Sequence, residues 1–322
     1  MKDKMKIALC ILIAWIGIFQ VAYSQDSSIK DLVQLYDYDQ KLSLDLQDTI
    51  VQDLDGITIH DISYVSPKGG RVTAYWVVPP GKGPFAGLVF GHWGYGTRTE
   101  FLPEAILYAK AGAVSLLIDY PWVRPAPWRK NVPNFTQPDT DRDIYVQAVV
   151  DLRRGTDFLL SLPYVDSSRI AYIGHSYGAQ WGAILSAIDK RLKTVVLIGG
   201  VPTQADMFLG SNDPDFVALR TSIPKEQLEK YLEVTGVLDA IRYVPYSAPT
   251  PLLFQFARYE RYFGEASMLR YAQAAGEPKL VKWYDTGHEL NDVQALIDRG
   301  DWLEKEIGIK SIAPILQEMF KK

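Results

Sequence analysis

The sequence predicts an α/β fold: a mostly parallel, twisted sheet of about eight strands with helices on both faces, preceded by an antiparallel hairpin. Three observations carry this. From residue 88 onward, short β-rich runs alternate with helical runs, and strands separated by helices pair in parallel. Residues 114–118 form a continuous apolar run, as a strand covered on both faces requires. The 322 residues are 48% hydrophobic and 22% charged, enough apolar material for one large core.

The first segment stands apart from that fold. Lys2, Lys4 and Lys6 make a basic start, residues 7–19 are apolar apart from Gly17, and Ala22-Tyr23-Ser24 puts small residues where a signal peptidase reads. Residues 1–24 therefore read as a signal peptide cleaved after Ser24, which implies a secreted or periplasmic protein. The alternative is a membrane anchor, but the run is short for a helix crossing roughly 30 Å of hydrocarbon. Cys10, the only cysteine, leaves with the signal. The mature protein then has no disulfide, no thiol nucleophile and no thiolate metal site. Loss of three Lys and one Asp takes the formal charge from −4 to −6. An acidic protein of this kind has no electrostatic reason to bind nucleic acid.

Residues 25–322 read as one domain. Residues 28–50 suggest a peripheral helical segment. Residues 57–64 suggest a strand broken near Asp61, residues 66–70 a turn, and residues 71–78 the second arm of a hairpin. Strands follow at 88–90, 114–118, 169–173, 194–198, 252–257 and 279–284. Helices fall at 100–111, 140–162, 178–188, 267–275 and 292–306. Two stretches interrupt the alternation: 120–138, rich in Pro and Trp, and 201–247, with a helical piece near 224–232. Both follow strand ends, where open α/β sheets bind ligands, so they read as lid or cap insertions around a site.

The chemistry concentrates at Gly174-His175-Ser176-Tyr177-Gly178, a G-x-S-x-G sequence between a β-rich run and a helix. That setting holds a serine on a strained strand-to-helix turn. The two glycines let strand and helix approach without a side-chain clash. The N–H of Tyr177 then stands at the helix amino end, where a developing oxyanion is favoured. A serine hydroxyl needs a base. Of four histidines, His60 lies in the hairpin, His92 follows a strand and should shape its turn, and His175 should point away from the hydroxyl. His288, in a loop after the last strand, fits the chain order Ser…acid…His. The acid that orients it should lie just past a core strand. Glu260 is the first carboxylate after 252–257 and is preferred over Asp285 and Glu265. The second oxyanion donor should come from residues 91–96, Gly-His-Trp-Gly-Tyr-Gly. Trp93 is the first choice and Gly94 the next.

On these residues, together with the run 251–254 leading to Glu260, the chain resembles the α/β-hydrolase superfamily over roughly residues 57–305. The likeness is greatest to its dienelactone-hydrolase-like and acetyl-xylan-esterase-like branch and to the catalytic domain of prolyl oligopeptidases. The resemblance implies a Ser–acid–His triad and no cofactor. Two departures stand out: Glu260 where Asp is more usual, and Gly-His-Trp-Gly where His-Gly-Gly is typical.

The expected function is hydrolysis of carboxylic esters of small molecules through Ser176, His288 and Glu260, with an acyl-enzyme intermediate. One alternative is a serine peptidase acting on short peptides. Another is an inactive binding protein on the same fold. No P-loop, dinucleotide fingerprint or zincin helix is present. Trp122, Arg124, Trp128 and Arg129 are candidate contacts for a substrate carrying a ring and a negative charge. The metal expectation is none, and oligomeric state is not legible.

Overall fold

The computed structural model describes residues 29–319 and 321. The signal-peptide expectation for residues 1–24 lies outside them. Nine strands form one sheet: β1 (Gln47–Leu54), β2 (Ile57–Val65), β3 (Arg71–Val78), β4 (Phe85–Gly91), β5 (Ala113–Ile118), β6 (Val165–His175), β7 (Leu192–Ile198), β8 (Leu252–Tyr259) and β9 (Lys279–Gly287). Their spatial order is β1-β2-β3-β5-β4-β6-β7-β8-β9. The first three strands are antiparallel to their neighbours, and β5 through β9 run parallel.

Eight strands fall where the sequence places them. The ninth, β1, begins in the segment read as helical and runs past its end, and only Ile29–Gln34 of that segment is a helix. The physical reason is exposure. Seven of the eight β1 side chains face solvent, so no apolar alternation marks the strand, and its place rests on backbone pairing with β2. β2 runs unbroken through Asp61, because Arg98 grips that carboxylate with two bonds of 2.6 and 2.8 Å.

Two apolar layers sandwich the sheet. One joins it to the helices Pro138–Ser161 and Tyr177–Ile188 through residues such as Tyr145, Val149, Trp181 and Ile184. The other joins it to Leu102–Lys110 and Val293–Ile307 through Ala105, Tyr108, Trp302 and Leu303. β5 is buried at every position, which explains its unbroken apolar run.

The chain goes from β4 outward to β5, then returns to β6 on the other side of β4. The strand order reverses there, and a crevice opens at the carboxyl ends of β4 and β6. Both ends are tightly built. A Cβ on Gly178 would lie 2.1 Å from the carbonyl oxygen of Gly91, and one on Gly174 would lie 2.2 Å from that of Gly178. The Tyr172 hydroxyl donates to the Gly178 carbonyl at 2.8 Å, fixing the same contact from the side.

The 201–247 stretch holds, ahead of three 3-10 turns, three α-helices, Gln204–Phe208, Pro214–Ser222 and Lys225–Thr235. The third matches the expected helical piece. The first two are short, but their starts were legible: the side chain of Thr203 accepts from Asp206 N–H, that of Asp213 accepts from Asp215 N–H, and Pro214 follows Asp213. Among the described residues no helix is long and apolar enough to cross a membrane.

The Gly178 contact is backbone on backbone and has no side chain that could yield. Gly178→Ala should therefore destabilise the protein by about 2 kcal/mol or more, in the range of core overpacking. Denaturant unfolding checks this, and wild-type stability in the variant would contradict it.

Candidate active site

Ser176 follows β6 and caps the helix Tyr177–Ile188, with φ 56° and ψ −112°. A non-glycine residue at positive φ carries strain of order 1–3 kcal/mol and persists only where its surroundings impose it. Here its N–H donates to Ile198 O at 2.8 Å, and its carbonyl accepts from Gln180 N–H at 3.0 Å. Strand and helix thus hold the turn from both sides. Tyr177 is the first residue of the helix, so its N–H has no partner within it.

His288 follows β9. Its Nδ1 lies 2.7 Å from Glu260 Oε2, and both side chains are almost fully buried. A carboxylate accepts from Nδ1–H, which leaves Nε2 as the basic nitrogen. The other Glu260 oxygen accepts from Tyr262 N–H at 2.9 Å. Tyr262 stands edge-on to the imidazole, 4.7 Å between ring centres, and Phe263 lies 6.0 Å away. On the far side the ring rests on Gly199, where a Cβ would come 3.4 Å from Cε1. Asp285 is 77% exposed and pairs with Arg258 at 3.2 Å.

Ser176 and His288 line one small cavity of about 80 Å³ with Gly94, Tyr177, Val201 and Met207. It adjoins a larger cavity of about 450 Å³ through shared walls at Trp93, Gly94, Tyr95, Tyr177, Phe216 and Tyr262. Trp122, Tyr145, Phe208 and Leu219 make the rest of the larger wall largely apolar. The short helices of 201–247 therefore reach the space beside Ser176, through Met207 and Phe216, and Trp122 from 120–138 reaches the adjoining larger cavity.

Two expectations need correction. First, Trp93 N–H is not directed at an oxyanion, because it donates to Glu100 Oε2 at 2.7 Å. The neighbouring loop groups are held as well. Trp122 Nε1–H donates to Gly94 O at 2.6 Å, and Gly96 N–H to Trp93 O at 3.0 Å. Gly94 lines the cavity beside Ser176, and its N–H has no partner among the described residues.

Second, three of the four candidate substrate contacts are structural. Arg124 and Asp151 are fully buried and paired at 2.6 Å, and Arg124 also donates to Asp119 O. Arg129 donates to the Arg124 carbonyl at 2.9 Å, and Trp128 packs on Gly70. Only Trp122 reaches a cavity wall. A buried guanidinium requires a partner, and nothing local in the sequence pairs position 124 with position 151.

His92 shapes its turn as expected. Its Nδ1–H donates to Trp93 O at 2.6 Å, and its Nε2 accepts from Tyr120 N–H at 3.2 Å. His175 points to Glu100 and to the His288 carbonyl. Sequence reasoning missed Glu100, Met207, Phe216, Tyr262 and Phe263. Only Tyr262 and Phe263 carried a signal, as the residues next to the proposed acid. Among the described residues no cluster of His, Cys, Asp and Glu could hold a metal ion.

The sheet, its crossovers and the serine elbow make this an α/β-hydrolase fold. Solved structures agree. The chain is similar to an acetyl xylan esterase from Paenibacillus sp. R4 (TM-score 0.71, 22% identity, 86% of this chain and 92% of that one). It is also similar to acetyl xylan esterase 1 from Thermoanaerobacterium sp. (TM-score 0.69, 15% identity, again 86% and 92%). In sequence it matches esterase FrsA from Salmonella paratyphi B and from Salmonella newport, each at 25% identity over 272 residues. The match covers 78% of this chain but 60% of each relative, so the chain spans well under two thirds of their length. No family model matches the chain.

Burial pushes the His92 imidazole down, from an ordinary 6.5 to about 3, although the Trp93 carbonyl favours the charged form. Between those values the unfolded chain binds a proton that the folded protein refuses. Stability should therefore rise with pH across that window, by about 1.4 kcal/mol per unit, and be lost as pH falls from 6.5 toward 3. His92→Asn removes the titrating group. Unfolding free energies taken at several pH values inside the window should show a shallower slope in the variant, and equal slopes would contradict the assignment.

Proposed function

We propose that this protein is a carboxylic ester hydrolase working through Ser176, His288 and Glu260. The observation that carries the reading is the pairing of a positive-φ serine elbow with a buried His288–Glu260 couple on one cavity. The esterase named among its sequence relatives supports it.

In the proposed reaction His288 Nε2 takes the Ser176 proton as Oγ bonds to the ester carbonyl carbon. The tetrahedral oxyanion accepts from the N–H groups of Tyr177 and Gly94, the second replacing Trp93. Such donors are each worth about 10²–10³ in turnover. The carbon–oxygen bond to the alcohol then breaks, and His288 returns the proton to the leaving oxygen. Water attacks the acyl-enzyme by the same route in reverse. Glu260 keeps the proton on Nδ1 and stabilises the imidazolium.

The substrate would be a small-molecule ester whose bulk lies against the aromatic wall of Trp122, Tyr145 and Phe216. Arg261 and Asp215 put one charge of each sign on that wall, so no preference for an anionic ester follows. The insertions at 120–138 and 201–247 would form the lid.

Ser176→Ala should lower turnover of an aryl acetate by about 10⁴–10⁶-fold, and Glu260→Gln by about 10²–10⁴-fold. A Ser176→Ala enzyme as active as wild type would remove the nucleophile. An unchanged rate in Glu260→Gln would move the acid elsewhere.

The reading also places the enzyme outside the cytoplasm, after loss of residues 1–24. N-terminal sequencing of protein recovered from the medium or periplasm should begin at Gln25. An intact Met1 terminus on exported protein would contradict the cleavage.

A further inference from the structure

The triad leaves one half-buried carboxylate and one buried imidazole beside it unused. Glu100 and His175 are 19% and 7% exposed, with Oε1 and Nδ1 2.6 Å apart. Each also reaches past the other to a backbone group of the site. Glu100 Oε2 accepts from Trp93 N–H at 2.7 Å, and His175 Nε2 lies 3.0 Å from the His288 carbonyl oxygen. The chain of contacts is continuous: oxyanion loop, Glu100, His175, catalytic-histidine loop. We propose that Glu100 and His175 form a positioning couple that ties the 91–96 loop to the His288 loop, so that oxyanion donor and general base are held in register. The proposal rests on the triad reading above.

Three features make this more than a surface ion pair. The ends are rigid. Glu100 N–H donates to Thr97 O at 3.0 Å, Arg98 N–H donates to Asp119 Oδ1 at 2.8 Å, and the Arg98 side chain grips Asp61 on β2. The segment carrying Glu100 is thus tied to the sheet, and His175 is the last residue of β6. The loop is also close-fitted to the carboxylate: a Cβ on Gly96 would lie 2.8 Å from Glu100 Oε2.

The third feature is hydrogen-bond direction. A backbone carbonyl only accepts, so His175 Nε2 must carry a hydrogen. The short Nδ1–Oε1 contact then holds a second one, shared with Glu100. The strap is complete only with both in place. By accepting Trp93 N–H, Glu100 also turns that group away from the cavity and leaves the next one, Gly94 N–H, for the oxyanion. Misplacement of a reacting group by about 1 Å can cost about 10² in rate, so a strap between donor and base should act on turnover more than on binding.

Glutamine can replace Glu100 in this scheme. Its amide oxygen accepts from Trp93 N–H, its amide N–H donates to His175 Nδ1, and Nε2–H stays on the His288 carbonyl. Alanine cuts both links. With an aryl acetate, Glu100→Ala and His175→Phe should each lower kcat by roughly 10–100-fold with KM within about threefold. Their double variant should fall no further than the worse single one. Glu100→Gln should recover most of the loss.

Proton NMR of the wild-type enzyme supplies a readout that does not depend on Glu100→Ala folding. It should show two far-downfield imidazole N–H resonances, one lost in Glu260→Gln and the other in Glu100→Gln. A fluorophosphonate probe separates the outcomes. If wild type labels at Ser176 and Glu100→Ala turns over as fast, or only the Glu260-dependent resonance exists, the couple is overturned and the triad stands. If folded wild type does not label at Ser176, the triad reading falls and the couple falls with it.

Discussion

One close approach organises the site: the first turn of the helix Tyr177–Ile188 lies directly against the carboxyl end of β4. Only hydrogen atoms fit between Gly178 and the Gly91 carbonyl. That contact brings together two segments 80-odd positions apart, the loop after β4 and the serine elbow after β6. It also forces Ser176 into a backbone conformation that a side-chain-bearing residue ordinarily avoids. The strain is borne by the parallel sheet, whose apolar layers on both faces leave strand and helix no room to relax.

Around that contact the protein arranges two histidine–carboxylate couples of similar length, His288–Glu260 and His175–Glu100, the second with its carboxylate more exposed. They differ in what the far nitrogen faces. His288 lines a cavity that Ser176 also lines, whereas His175 has its Nε2 on a backbone carbonyl. The first arrangement leaves a basic lone pair available, and the second uses the ring as a two-ended tie. Residue type alone does not separate the proposed base from the proposed brace; the partner of the second nitrogen is what distinguishes the two proposals.

Several parts of this were legible without coordinates. The alternation of apolar runs marked eight strands, because most of them bury at least one face and burial imposes composition, although β9 buries only Tyr284. The glycine spacing around Ser176 marked the elbow, because only glycine tolerates such contacts. Chain order singled out His288 and Glu260. β1 escaped because backbone hydrogen bonds to β2 hold it and burial does not, so composition left no trace. The short helices at 204–208 and 214–222 escaped because five to nine residues carry too little periodicity, although Thr203 and Asp213-Pro214 were cap signals in plain view.

The sequence by itself determined the fold class, the elbow and the identities of the proposed nucleophile, base and acid, since each depends on local composition or on order along the chain. Tertiary structure decided the rest. It decided that Trp93 N–H is not free for an oxyanion, since Glu100 takes it from across the loop. It decided that Arg124 lies fully buried against Asp151 and not in a cavity wall. It decided that Phe208 and Phe216 of 201–247 share a cavity wall with Trp122. The first two are outcomes of pairing: a polar group is available to a substrate only when no other part of the chain reaches it first, and that is settled in space.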